Sequence, residues 1–165
     1  MKIITIKRCF VYYVINHLLS GTRCFNIKRS LLRAVGYKIG EGTKIVGPLY
    51  NTGELNIGKN CWIGKNLIVN GNGIVNIGDN CDIAPEVTFL TGGHEIGDSV
   101  RRAGKGEKYT IVVGNGTWIG ARSTIGRNVN IGESCVIAAC SCVMKDVNSN
   151  LLVGGVPAKE IKKII

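Results

Sequence analysis

At 165 residues the chain is the length of one ordinary domain, and its 23 glycines against 3 prolines fit a backbone that turns many corners with few breakers. The net charge of +10 raises nucleic acid as a partner, yet no helix-turn-helix, zinc-finger or RNA-recognition signature accompanies the basic residues, so nucleic acid is not expected. No run approaches the roughly 20 apolar residues that span a bilayer, and the apolar stretch Phe10–Leu19 is broken by Asn16 and His17 with no small-residue cleavage site after it, so a cytoplasmic location is expected.

Residues 1–36 read as a helical cap. Ile3, Ile6, Phe10, Tyr13, Val14 and His17 recur at helical spacing, and Leu31, Leu32 and Val35 predict a second short helix ending at Gly36. A stacked-repeat protein needs such a cover over its open first coil. The competing reading is a basic amphipathic segment resting on the inner face of the membrane, since Lys2, Lys7, Arg8, Arg23, Lys28, Arg29, Arg33 and Lys38 crowd this region.

A different period governs residues 37–165. Ile57-Gly58 and Ile63-Gly64 begin a run with an aliphatic residue at every sixth position, continuing through Val69 and Val75. A second run starts at Ile77-Gly78 and passes through Ile83-Ala84 to Phe89. The phase slips by two between Val75 and Ile77, and Asn70-Gly71-Asn72-Gly73 is read as the turn that absorbs the slip, because Gly and Asn tolerate positive φ. Residues 91–110 carry no repeat, although Ile77 and Val113 are separated by 36 residues, a whole number of sixes; this stretch is expected to leave the coil as a loop. The repeat then returns without a miss at Val113, Ile119, Ile125, Ile131, Ile137 and Val143.

Six residues match neither a helix nor simple strand alternation, and a period held this long marks a solenoid. Each flat wall supplies one inward aliphatic, the small residue beside it lets the chain turn, and successive coils stack their aliphatics into a column rich in β-branched side chains. The seven cysteines contain no C-x-x-C pair and several fall on coil walls, so they are read as small buried apolar residues and no metal is expected.

Candidate chemistry rests on His94, in Leu90-Thr91-Gly92-Gly93-His94-Glu95, where the repeat leaves the coil. An imidazole titrates near neutrality and can take a proton from an alcohol that attacks a carbonyl. His17 lies among apolar residues and is read as packed or interfacial. The basic groups Arg101, Arg102, Lys105, Lys108, Lys159, Lys162 and Lys163 suit a phosphorylated cofactor, an acidic glycan or a membrane surface.

The repeat itself, Ile77 to Phe89, the His94 turn, Gly114-Asn-Gly-Thr-Trp-Ile-Gly-Ala121 and the ending Val143-Met-Lys-Asp146 with Gly154-Gly-Val-Pro-Ala-Lys159 resemble the hexapeptide-repeat acyltransferases, nearest to the galactoside, maltose and capsule or O-antigen O-acetyltransferases. The resemblance implies an all-β solenoid, a left-handed parallel β-helix, assembled as a homotrimer with active sites between neighbouring subunits. It implies acetyl-CoA as the co-substrate and a carbohydrate as the acceptor, with His94 as general base in a direct attack on the thioester. No G-x-S-x-G nucleophile motif opposes that reading. The same resemblance places Trp118 and Ala121 beside the acyl donor, Ala139 against the pantetheine amides, Met144 and Lys145 at a Thr-Lys position near the CoA phosphates, and Lys162 near the nucleotide end. Met144 departs from the family by lacking a hydroxyl, and Gly64 stands where related sugar acetyltransferases carry an acceptor-binding Asn.

Three competitors remain at this level. Antibiotic-acetylating relatives share the implied fold, base and donor groove. A catalytically silent trimeric scaffold would have no use for His94 and Trp118 together. Metal-dependent enzymes of similar repeat need three histidines, and the chain has only His17 and His94.

Overall fold

In the computed structural model, which describes residues 2–164, the six-residue period becomes one wall of a three-walled coil. The first wall stacks Lys38–Ile39, Glu54–Ile57, Ile74–Ile77, Thr110–Val113 and Asn130–Ile131. The second stacks Lys44–Ile45, Trp62–Ile63, Asp82–Ile83, Trp118–Ile119, Val136–Ile137 and Leu151–Gly155. The third stacks Leu49–Asn51, Leu67–Asn70, Thr88–Leu90, Thr124–Ile125 and Cys142–Val143. Every pairing within this stack is parallel and in register, so the chain is a parallel β-solenoid of about six turns. Val113, Ile119, Ile125, Ile131, Ile137 and Val143 are each exposed by 2% or less and form the lower half of one continuous core.

The register shows where the repeat is interrupted. Ile39 pairs with Ile57 and Ile45 with Ile63, a coil of eighteen residues. Ile57 pairs with Ile77 and Val69 with Phe89, a coil of twenty. The two extra residues lie in the turn of Asn70–Gly73, where Gly71 has φ +113 and an added Cβ would strike the backbone of Thr91 and Gly92. The next coil departs at Leu90 and returns at Tyr109, whose N–H donates to the Thr91 carbonyl at 2.8 Å. Within this excursion Gly92–Ile96 and Ala103–Lys108 pair antiparallel as an exposed ribbon.

One corner of the coil explains the buried cysteines. Thr43 donates to the Gly58 carbonyl at 2.7 Å, Cys61 to Gly78 at 3.1 Å, Cys81 to Gly114 at 3.2 Å, Thr117 to Gly132 at 2.9 Å and Cys135 to Asn148 at 3.1 Å. Thiol and hydroxyl alternate in the same task, each tying its coil to the next. The adjacent Cys61 sulfur and burial push the Cys81 thiol up, keeping it a protonated donor.

The ends of the stack are covered. Helix Lys2–Tyr13 runs into a π-helical turn Val14–Leu18, and helix Phe25–Ala34 follows. Val11, Ile15, Leu32 and Val35 enter the same apolar cluster as the coil. Polar side chains of these segments meet the free backbone of the first coil. Asn16 both donates to the Leu49 carbonyl and accepts from its N–H, at 3.0 and 2.9 Å. Lys28 donates to Val46 at 3.0 Å, Arg29 to Thr43 at 3.0 Å and Arg33 to Ile39 at 2.7 Å. Much of the basic charge near the start of the chain therefore satisfies carbonyls of an otherwise open edge. On the outer side Ile6, Phe10 and Tyr13 stay exposed. Among the described residues no helix is long and apolar enough to cross a membrane. At the other end Ala158–Lys163 folds back antiparallel on Leu151–Gly155.

Candidate active site

His94 is carried on the outgoing strand of the ribbon, opposite Gly106. Its Nδ1 lies 2.8 Å from the Gly104 carbonyl. A carbonyl only accepts, so Nδ1 carries a proton, and in the neutral tautomer that this bond selects Nε2 is the acceptor nitrogen. The ring borders a cleft of about 480 Å³ lined also by Asn70, Asn72, Gly93, Glu107 and Lys108. Asn70, Gly71 and Asn72, from the turn that absorbs the coil slip, thus line the same cleft as His94.

Local sequence fixes this arrangement. Gly93 packs against the ring of Tyr109, and a Cβ there would lie 2.6 Å from the Tyr109 hydroxyl. That hydroxyl donates to Glu107 Oε2 at 2.7 Å, and the Arg127 guanidinium sits 5.9 Å from the ring centroid. Tyr109 and Glu107 escaped the sequence reading. Their signal is positional only: they stand at the return of the excursion as His94 stands at its departure.

The remaining candidates lie elsewhere on the coil. Trp118 projects from the second wall and is 54% exposed. Ala121 and Ala139 occupy successive coils at the corner between the second and third walls, where the Cys140 N–H donates to the Ala121 carbonyl at 2.9 Å. Met144 and Lys145 are exposed at the corner leading from the third wall to the first, with Met144 lying against Gly126. Lys162 is exposed on the final strand, opposite Leu152. Ala121 and Ala139 therefore share one edge of the third wall, and Met144 and Lys145 its other edge. His94 rises from the corner between the third and first walls, and Trp118 sits on the remaining wall. One copy of the chain does not bring His94 and Trp118 together. Among the described residues no cluster of three or more His, Cys, Asp or Glu side chains is arranged for a metal ion.

Residues 110–145 match the family model for the bacterial transferase hexapeptide, six repeats. The chain is 34% identical over 139 residues to the galactoside O-acetyltransferase of Escherichia coli strain K12, covering 83% of this chain and 68% of that protein. The chain belongs to the hexapeptide-repeat acetyltransferases. Two solved members superpose along nearly its whole length. A hexapeptide-repeat-containing acetyltransferase from Vibrio cholerae, complexed with acetyl coenzyme A, gives a TM-score of 0.86 at 26% identity, covering 99% of this chain and 88% of that one. A galactoside acetyltransferase in complex with coenzyme A gives 0.84 at 30% identity, covering 98% and 82%. This hexapeptide-repeat acetyltransferase thus keeps the family coil and, on its longest excursion, places His94 at the border of an open cleft.

Proposed function

We propose that the chain transfers an acetyl group from acetyl-CoA to a sugar hydroxyl, with His94 as general base, in the building of a cell-surface polysaccharide or its precursor. The observation that carries this reading is the His94 ring, which borders the cleft and is held through Nδ1 by the Gly104 carbonyl, leaving Nε2 as the nitrogen not engaged in that bond. Nε2 takes the proton of the acceptor hydroxyl as its oxygen attacks the thioester carbonyl. Collapse of the tetrahedral intermediate breaks the carbon–sulfur bond, forms the ester, and returns the proton from His94 to the leaving CoA sulfur. Asn70, Asn72 and Glu107 supply donors and acceptors suited to the other hydroxyls of a sugar. The coenzyme-bound structures of the two solved relatives and the galactoside relative support the donor and acceptor classes.

Trp118, Ala121, Ala139, Met144, Lys145 and Lys162 are proposed as donor contacts. The small side chains of Ala121 and Ala139 let a ligand approach the backbone at their corner, and Lys145 and Lys162 offer exposed charge to phosphates. Because His94 and Trp118 occupy separate sides of one coil, a complete site needs the base of one copy and the indole of another, which supports a homotrimer with sites at its seams.

His94→Ala is expected to fold as the parent does and to lose at least about 100-fold in turnover, the scale of a removed general base. Thiol release from acetyl-CoA in the presence of galactosides, maltose and an antibiotic alcohol checks this. Near-full activity of the variant overturns the mechanism, and turnover of the antibiotic alone overturns the sugar acceptor.

A further inference from the structure

Helix Lys2–Tyr13 and the π-helical turn Val14–Leu18 are apolar on two faces, and the coil uses only one of them. Val11 and Ile15 join the core, and the Tyr12 and Tyr37 hydroxyls share a hydrogen bond of 2.6 Å. The other face carries Ile6, Phe10, Tyr13 and His17 at the i, i+4, i+7, i+11 spacing of a single stripe, with Leu18 beside them. Ile6, Phe10, Tyr13 and Leu18 are 57–69% exposed. A cap that only sealed the coil would carry polar residues on this outer face.

Charge points to what meets the stripe. Before Glu41 the sequence holds eight lysines and arginines and no aspartate or glutamate, so the cap carries most of the net charge of +10. The carbonyls that Lys28, Arg29 and Arg33 satisfy do not cancel those charges, and Glu41 alone stands against two of them, 3.7 Å from Arg29 and 2.7 Å from Arg33. Lys7 is exposed beside the stripe and Arg23 on the connection that follows Leu18, and neither takes part in a salt bridge among the described residues. The Tyr13 and His17 rings lie 4.9 Å apart at 40°, which ends the stripe in aromatic bodies with polar tips. A narrow convex line of apolar and amphipathic side chains set in positive charge matches the boundary of an anionic bilayer, where phosphates meet the cations and acyl chains receive the apolar groups. A second copy on this face would oppose like charges, and a convex stripe offers no pocket for the anchoring side chains of a protein partner.

We propose that the outer face of the N-terminal cap docks on an anionic phospholipid surface, with Ile6, Phe10, Tyr13 and Leu18 entering the boundary between headgroups and acyl chains and Lys7 and Arg23 pairing with lipid phosphates. The contact is reversible, since one short apolar stripe and one basic patch each supply part of the affinity and neither suffices alone. It holds the enzyme by the end of the solenoid and leaves His94 and the outer walls free, so it sets location and not the chemical step.

The test is sedimentation of the full chain with vesicles of phosphatidylcholine alone and of phosphatidylcholine mixed with phosphatidylglycerol. The parent is expected to bind the mixed vesicles at least about tenfold more tightly than the neutral ones, and to be released as salt is raised. Phe10→Ser, and Lys7→Gln combined with Arg23→Gln, are each expected to weaken binding to the mixed vesicles about tenfold, with circular dichroism and thiol release from acetyl-CoA unchanged. Phe10→Trp adds a readout of insertion: its emission is expected to be quenched by brominated acyl chains, beyond any quenching of the parent's Trp62 and Trp118. That variant and the charge pair keep the test available should Phe10→Ser fold poorly. Equal binding of the parent to both vesicles, or to neither, overturns the proposal, as does undiminished binding of a folded Phe10→Ser. Self-association by light scattering that disappears in Phe10→Ser, without vesicle binding, assigns the stripe to a second copy and overturns it as well.

Discussion

A thiol and a hydroxyl are interchangeable at one corner of this coil because the task there is to donate one hydrogen bond from a small buried side chain. Thr43 and Thr117 do with oxygen what Cys61, Cys81 and Cys135 do with sulfur. Cys81→Thr is therefore expected to keep the fold within about 1 kcal/mol, while Cys81→Val, which leaves the Gly114 carbonyl without that donor, loses about 1–3 kcal/mol. Chemical denaturation of the two variants checks the contrast, and equal stability would remove the hydrogen bond as the reason for the pattern. The sequence shows that these cysteines sit on coil walls without metal or disulfide spacing. It does not show the ladder, because the partner of each side chain lies thirteen to thirty-three positions away, at distances set by turns of unequal length. His94 was legible as a candidate for the opposite reason. It is one of two histidines and stands where a strict period stops. The hydrogen bond that fixes its tautomer was not legible, since Gly104 offers only a backbone carbonyl.

The elements differ in how openly they announce themselves. Walls that bury one side chain in every six residues leave a periodic trace, and Val113 to Val143 displays it in full. The ribbon of Gly92–Ile96 and Ala103–Lys108 buries neither face and is built largely of Gly, Lys and Glu, so its strand pairing rests on backbone hydrogen bonds that leave no apolar alternation. The turn of Asn70–Gly73 was readable from its composition, and its packing against the base of the ribbon adds a demand for an absent side chain at Gly71. Gly71→Ala is expected to leave the coil folded and to displace the strand bearing His94, lowering kcat/KM at least about tenfold, since small misplacements of a base are amplified in rate. Circular dichroism with steady-state kinetics checks it; full activity would show that the ribbon adapts. In the cap, Lys28 is fully buried and donates to the Gly21 and Val46 carbonyls at 2.7 and 3.0 Å. Burial pushes its ammonium down from the ordinary lysine range. Between that lowered value and the ordinary one, the unfolded chain binds more protons than the folded chain, so stability rises with pH across the window. Lys28→Met is expected to lose about 1–3 kcal/mol at neutral pH by stranding the Gly21 carbonyl, since that of Val46 still accepts from the Gly21 N–H, and to abolish that alkaline rise. Melting measured from neutral to alkaline pH reads both effects; an unchanged rise would assign it to other groups.

At the scale of the whole molecule, the separation of His94 from Trp118 is the fact with the widest reach. The two lie on different sides of one solenoid, so a reaction that uses both, as proposed, calls for two copies of the chain. Mixing inactive His94→Ala and Trp118→Ala chains after joint unfolding and refolding is expected to regenerate sites that pair an intact base with an intact indole, restoring measurable turnover. No recovery would place both residues in one copy's site or remove Trp118 from the reaction. Sequence periodicity establishes the coil but carries no trace of what its outer walls meet, because exposed positions are free of the six-residue constraint. Trp62 and Asp82 went unremarked for that reason, although their stacking beside Trp118 follows directly from register.

The covered ends of the stack also bear on solubility. A parallel coil without caps is a template for its own continuation, since each terminal turn displays amides and carbonyls at the spacing the next would require. Asn16 imitates a strand toward Leu49, three cations neutralise carbonyl dipoles beside it, and the closing strand Ala158–Lys163 runs the wrong way to be extended in parallel. Parallel growth is thereby opposed over the first coil and along the last strand of the second wall.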